Sequence, residues 1–106
     1  MVKNYKVITL CGSTRFKEQY MEVQKQLTLK GCIVISVGLF GHSGDEEVCK
    51  PGTKEMLDDM HLRKIDMADE IFVINVGGYI GESTKREIAY AEEKGKKVNY
   101  LEPVNS

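Results

Sequence analysis

Three apolar runs restrict this chain more than any other feature: Lys6-Val7-Ile8-Thr9-Leu10-Cys11, Cys32-Ile33-Val34-Ile35-Ser36-Val37 and Ile71-Phe72-Val73-Ile74-Asn75-Val76. Each is rich in β-branched residues and ends at a glycine, which predicts a strand running into a turn. None alternates polar with apolar residues, as a strand with one wet face must. Continuous runs of this kind suit a parallel sheet covered on both sides, and parallel strands need long crossovers, usually helices.

The stretches between the runs supply them. Phe16, Tyr20, Val23 and Leu27 fall at i, i+4, i+7 and i+11, one stripe of an amphipathic helix that Gly31 ends. A second helix over residues 54–67 places Leu57, His61, Ile65 and Ala68 on one stripe. A third reaches Gly95 with Thr84, Ile88, Ala91 and Gly95 on one face, and Glu92-Lys96 and Glu93-Lys97 at the spacing of exposed ion pairs. Residues 97–101 read as a fourth strand and 102–106 as a tail. Four strands alternating with three helices predict right-handed βαβ crossovers and a three-layer α/β sandwich. The expectation is a Rossmann/flavodoxin-like parallel sheet of four to five strands in one domain spanning 1–106. Between strand two and helix two, residues 38–52 hold glycines, Pro51 and the acidic Asp45-Glu46-Glu47 with no period, which predicts a long loop of the binding or lid kind.

At 106 residues the chain has room for one core. Hydrophobic residues at 42% and charged residues at 29% exclude a disordered tail or a membrane span. Fifteen Lys and Arg against sixteen Asp and Glu leave no field to draw the protein onto nucleic acid or anionic lipid. A small ligand is the better expectation. The apolar run at 7–11 falls short of a signal-peptide core, which predicts a cytoplasmic protein. The three cysteines, Cys11, Cys32 and Cys49, are odd in number and form no CxxC pair, so reduced thiols are expected. A zinc site can be drawn from His42, Cys49 and His61, but its spacing matches no metal motif; neither a metal nor a cofactor is expected.

Parallel sheets bind ligands at the carboxyl ends of their strands. That rule selects Cys11-Gly12-Ser13-Thr14-Arg15, Gly38-Leu39-Phe40-Gly41-His42 and residues 77–84. In the first, Gly12 permits a tight turn, Ser13 and Thr14 offer hydroxyls and amides at a helix N-terminus, and Arg15 adds a fork of donors suited to phosphate or ribose. The spacing is neither GxxxxGK[ST] nor GxGxxG, and Ser13 or Thr14 could simply cap the helix. Glu87 has the same double reading. Thr84-Lys85-Arg86-Glu87 fits a capping box, yet a carboxylate in the first turn of a helix leaving the sheet's carboxyl edge could equally be a nucleophile. His61 could be a core histidine or an acid or base. Asp66 and Asp69 suit a turn.

Three segments in order carry a resemblance: residues 10–15 (Leu-Cys-Gly-Ser-Thr-Arg), 61–73 (His61 through Val73) and 81–91, with Glu87-Ile88-Ala89-Tyr90-Ala91. Together they resemble the nucleoside 2-deoxyribosyltransferase superfamily, including the deoxynucleoside 5'-monophosphate N-glycosidases. The resemblance implies cleavage of an N-glycosidic bond with Glu87 as nucleophile on C1' of the sugar, a covalent glycosyl-enzyme and retention. It implies that Cys11, Gly12, Ser13, Thr14 and Arg15, together with Gly81, Ser83 and Thr84, hold the sugar or its 5'-phosphate, and that the protein is a homodimer or larger homo-oligomer. Two positions depart from the pattern. His61 stands where the family commonly has an aspartate assisting the leaving base, and Thr9 where it has a tyrosine. The acid role would then pass to His61, or to Asp58 or Asp59. A catalytically silent nucleotide-binding or sensing domain is the alternative, and hydrolysis of another N-riboside a third.

Overall fold

The computed structural model describes residues 4–38, 40 and 51–104. His42, Cys49, the acidic run at 45–47 and most of the loop expected at 38–52 lie outside them. Four strands form one parallel sheet: β1 (Val7–Gly12), β2 (Ile33–Ile35), β3 (Glu70–Ile74) and β4 (Lys97–Tyr100), in the order β2-β1-β3-β4. Three helices, α1 (Lys17–Leu29), α2 (Thr53–Asp66) and α3 (Glu82–Glu93), make the connections. The fold is a Rossmann-like α/β sandwich. Among the described residues no helix is long and apolar enough to cross a membrane.

Strand pleating explains why the apolar runs do not alternate. On β1, Ile8 and Leu10 point to one face and join Tyr20, Val23 and Leu27 of α1. Cys11 points to the other, where Ile65 of α2, Ala91 of α3 and Ile71 and Val73 of β3 gather. With helices on both faces, every position of a central strand is inside, and the two innermost strands are the most buried. Thr9 is fully buried, and its hydroxyl donates to the Lys64 carbonyl at 2.9 Å, tying β1 to α2.

Local signals fix the helix ends. After α1, the amide of Cys32 donates to the Leu27 carbonyl and that of Gly31 to Thr28. After α3, Lys96 and Gly95 repeat the pair on Ala91 and Glu92. This double bond pattern is the Schellman motif, and the positive φ at Gly31 and Gly95 is what it requires.

Several boundaries differ from the sequence expectation. Phe16 belongs to a 3-10 turn over Thr14–Phe16 that precedes α1, because Ser13 caps that turn by accepting from the Arg15 amide. β2 stops at Ile35, and β3 runs from Glu70 to Ile74. Asn75 leaves the ladder to exchange hydrogen bonds with the backbone of Glu102, donating to its carbonyl at 3.0 Å and accepting from its amide at 2.9 Å. The Glu92-Lys96 and Glu93-Lys97 spacings fall past the end of α3, so they no longer correspond to one helix turn. Lys96 reaches instead to the carbonyls of Ala68 and Asp66. Asp69, expected in a turn, accepts from the Val7 amide at 2.8 Å and so starts β1. Asp66 accepts from the Tyr90 hydroxyl at 2.7 Å.

Candidate active site

The strand order sets the position of the site. From β1 the chain crosses through α1 to β2 on one side, and from β3 it crosses through α3 to β4 on the other. β1 and β3 are neighbours, so their two following loops part company and leave a crevice at the carboxyl ends. Gly12, paired with Ile74, lies at its base. A cavity of ≈ 570 Å³ opens there, within the size range of small-ligand sites. Gly12, Ser13, Thr14 and Arg15 line one wall; Tyr79, Gly81, Glu82, Ser83, Thr84 and Glu87 line another. α2 contributes Lys54, Leu57, Asp58, Met60, His61 and Lys64. The residues that the resemblance places in the site all border this cavity except Cys11, which is fully buried next to it, whereas Asp59 and, after strand two, Gly38 and Phe40 do not line it.

Gly12 has φ +143°, and a Cβ there would stand 2.8 Å from the Ile74 carbonyl oxygen. Only glycine allows the two central strands to approach so closely while the chain turns out of the sheet. The Tyr20 hydroxyl then donates to the Gly12 carbonyl at 2.8 Å, so the turn is held from the α1 side as well. Arg15 packs over the Tyr79 ring, 4.6 Å from its centre, and its Nε donates to Ser13 Oγ at 3.1 Å. Tyr79 is also placed by edge contact with Phe16. Its hydroxyl would stand 3.2 Å from a Cβ at position 81, so a glycine at that position leaves room for the ring.

The structure decides the capping question for Glu87. α3 begins at Glu82 with extended Gly81 as its N-cap, and no side chain caps it. Thr84 is therefore the third helical residue, and Glu87 lies in the second turn, too far along to reach the N-cap amide. The expected capping box is not formed, nor is Glu87 in the first turn. The helix starts three residues earlier than that box requires, and Glu82 places a carboxylate in the first turn, where the helix dipole favours it.

Glu87 instead joins a compact cluster from three elements. His61 Nε2 lies 3.7 Å from Glu87 Oε1 and 3.3 Å from Cys11 Sγ, and ligand-capable atoms of all three residues fall within 4.8 Å of one another. The imidazole and carboxylate are nearly enclosed, with side-chain exposures of 9% and 14%. Burial, then the nearby Asp58 carboxylate, raises the Glu87 pKa to about 7, against a smaller opposing hydrogen bond from the Cys11 thiol. Burial, then the Lys64 ammonium, lowers that of His61 to about 4. Burial keeps Cys11 a thiol, its pKa well above the usual range, and Glu87 adds to the effect. At neutral pH the cluster holds a neutral imidazole, a thiol and a half-ionised carboxyl.

Sequence reasoning missed Tyr79, Lys64, Leu57 and Lys54. Lys64 is on α2's periodic run but gives no sign that its ammonium crosses to the Ser36 carbonyl at 2.8 Å. Tyr79 sat inside a loop already selected, and its aromatic character was the one available signal. No protein-family model matches the chain, and no curated protein matches it.

Proposed function

We propose that this chain cleaves the N-glycosidic bond of a nucleoside or nucleoside 5'-monophosphate, by hydrolysis or by transfer of the sugar to a second base, with Glu87 as the nucleophile. The observation that carries this reading is the setting of Glu87. It is a carboxylate with no capping duty, on the wall of a ligand-sized cavity, at the carboxyl ends of two central strands. Its raised proton affinity makes it a stronger nucleophile when ionised than an exposed carboxylate. In the reaction a Glu87 oxygen forms a bond to C1', the C1'–N bond breaks toward the base, and water or a second base later displaces Glu87 with retention.

His61 is not the best source of the proton for the leaving base. Glu87 must be ionised, and an imidazolium donor must be protonated. With values of about 4 for His61 and about 7 for Glu87, the imidazole is neutral over the range in which Glu87 ionises. His61 then positions and desolvates Glu87. Of the two aspartates considered, Asp58 lines the cavity, but its carboxylate is paired with Lys54 at 2.8 Å, so the leaving base takes its proton from solvent. Arg15, Ser13, Thr14 and Ser83 face the same space and suit the sugar hydroxyls or a 5'-phosphate. The reading carries with it a cytoplasmic setting and a homo-oligomer, which sedimentation at graded concentrations would reveal.

The test is chromatographic detection of free base after incubation with deoxynucleosides, ribonucleosides and their 5'-monophosphates. Release by the wild type should rise about tenfold per pH unit and level off above about pH 7, as Glu87 ionises. Glu87→Gln should lower it by at least about 10³-fold. No release from any substrate, with binding of nucleotides retained, would leave a silent nucleotide-binding domain in its place.

A further inference from the structure

Cys11, His61 and Glu87 raise a second possibility at the floor of the cavity. They reach one point from β1, α2 and α3, and offer a sulfur, a nitrogen and an oxygen. In a tetrahedral zinc site with Zn–S of about 2.3 Å and Zn–N and Zn–O of about 2.0–2.2 Å, the ligand atoms themselves stand about 3.6 Å apart for S and N and about 3.4 Å for N and O. The corresponding separations here are 3.3 Å and 3.7 Å. Two of the three edges thus match those of a zinc-sized tetrahedron to within about 0.3 Å, and the third, from Cys11 to Glu87, is no longer than 4.8 Å.

We propose that Cys11, His61 and Glu87 form a binding site for Zn²⁺ or a similar borderline-soft divalent ion, whose fourth position opens toward the cavity. The site goes beyond the glycosyl-transfer reading and does not depend on it. Three features favour it. The donor set is mixed sulfur, nitrogen and oxygen, which suits zinc over magnesium or calcium. A thiolate, a carboxylate and a neutral imidazole exactly balance the ion's two charges, so the filled site adds no net charge to a buried place. The imidazole is held by a hydrogen bond with the Leu10 backbone, the kind of outer support that fixes a ligating ring.

Binding transfers the Cys11 thiol proton, and that of Glu87 when present, to solvent as the metal bonds form. The cavity gives the ion its way in: His61 and Glu87 line it, and Cys11 closes the space behind them. A metal held here uses the Glu87 oxygen that would attack C1'. Zinc and glycosyl transfer therefore exclude one another, and zinc would act as an inhibitor of that reaction.

Titration of the full chain, reduced and stripped with chelator, with Co²⁺ reads the site without any activity assay. One equivalent should give a thiolate-to-cobalt charge-transfer band and the intense visible bands of tetrahedral cobalt, and Zn²⁺ should abolish both. Cys32→Ser should leave the spectrum unchanged. Cys11→Ser should remove the charge-transfer band, and Glu87→Gln should weaken binding at least about 10–100-fold, the loss that disturbing a ligand's outer support alone brings. No charge-transfer band in the wild type, or a band that survives in folded Cys11→Ser, would overturn the proposal. Should Cys11→Ser fail to fold, X-ray absorption on the zinc-loaded wild type decides: one sulfur among nitrogen and oxygen neighbours supports the site, and none or several sulfurs refute it. Absence of base release would leave these results untouched.

Discussion

Replacing Glu87 by Gln removes a titration while keeping the side chain's shape, so the stability gap between the two proteins should itself change with pH. Below about pH 4.5, the ordinary value, the carboxyl is protonated in both the folded and the unfolded wild type. Between that value and about 7 the unfolded chain ionises first and is favoured; above about 7 the folded chain ionises too and the loss is complete. The raised proton affinity of Glu87 thus contributes stability at low pH that disappears as pH rises. A shift from 4.5 to about 7 corresponds to about 3 kcal/mol. The glutamine variant should gain that much on the wild type between pH 4 and pH 9, equivalent to about 10–15 °C in Tm for a chain of this size. Urea unfolding followed by circular dichroism across this range measures it. A gap that stays constant with pH would refute the placement of Glu87 in a desolvated cluster, and a gap that narrows with rising pH would refute its sign.

Three further outcomes follow from other contacts. In the Glu87→Gln background, stability should fall on acidification from about pH 6.5 toward about pH 4, because His61 takes up its proton less readily folded than unfolded, and His61→Gln should flatten that slope in the same unfolding assay. Gly12→Ala should cost at least about 2 kcal/mol, since the new methyl meets the Ile74 carbonyl at a strained φ; an unchanged urea midpoint would contradict the close strand approach. Asn75→Ala should cost about 1–3 kcal/mol and release the segment after β4, read as lost exchange protection at the Glu102 amide while the β1 and β3 amides stay protected.

The architecture was legible because burial on both faces leaves a compositional mark. The run from Ile71 to Ile74 had to be an inner parallel strand, and the stripe from Tyr20 through Leu27 had to cover one face of it. Gly31 and Gly95 marked helix ends because their positive φ is the motif's own requirement. The start of α3 was misread because Thr84 and Glu87 satisfy a local pattern, and nothing in four residues says that Glu82 and Ser83 are already helical. The loops that line the cavity could be picked from the sheet rule alone. What escaped was the convergence of side chains between elements. Cys11 read as a small hydrophobe, which its burial bears out, but its 3.3 Å approach to His61 depends on how α2 lies across the sheet.

The sheet order has a consequence for how the protein comes into being. β1 sits between β2 and β3, and its bond to Asp69 joins groups 62 residues apart, while Cys11 and His61 are 50 residues apart. As the chain emerges from the ribosome, β1 can pair with β2 early, but its other edge and its second apolar face wait for α2, β3 and finally α3. Until β3 pairs with it the central strand presents an open edge to any neighbour, and until Glu82–Glu93 has docked no nascent intermediate can hold the three-residue cluster. Assembly of the cluster is therefore a late folding event, so a fragment ending before α3 would carry two of its members and lack the α3 side of its enclosure.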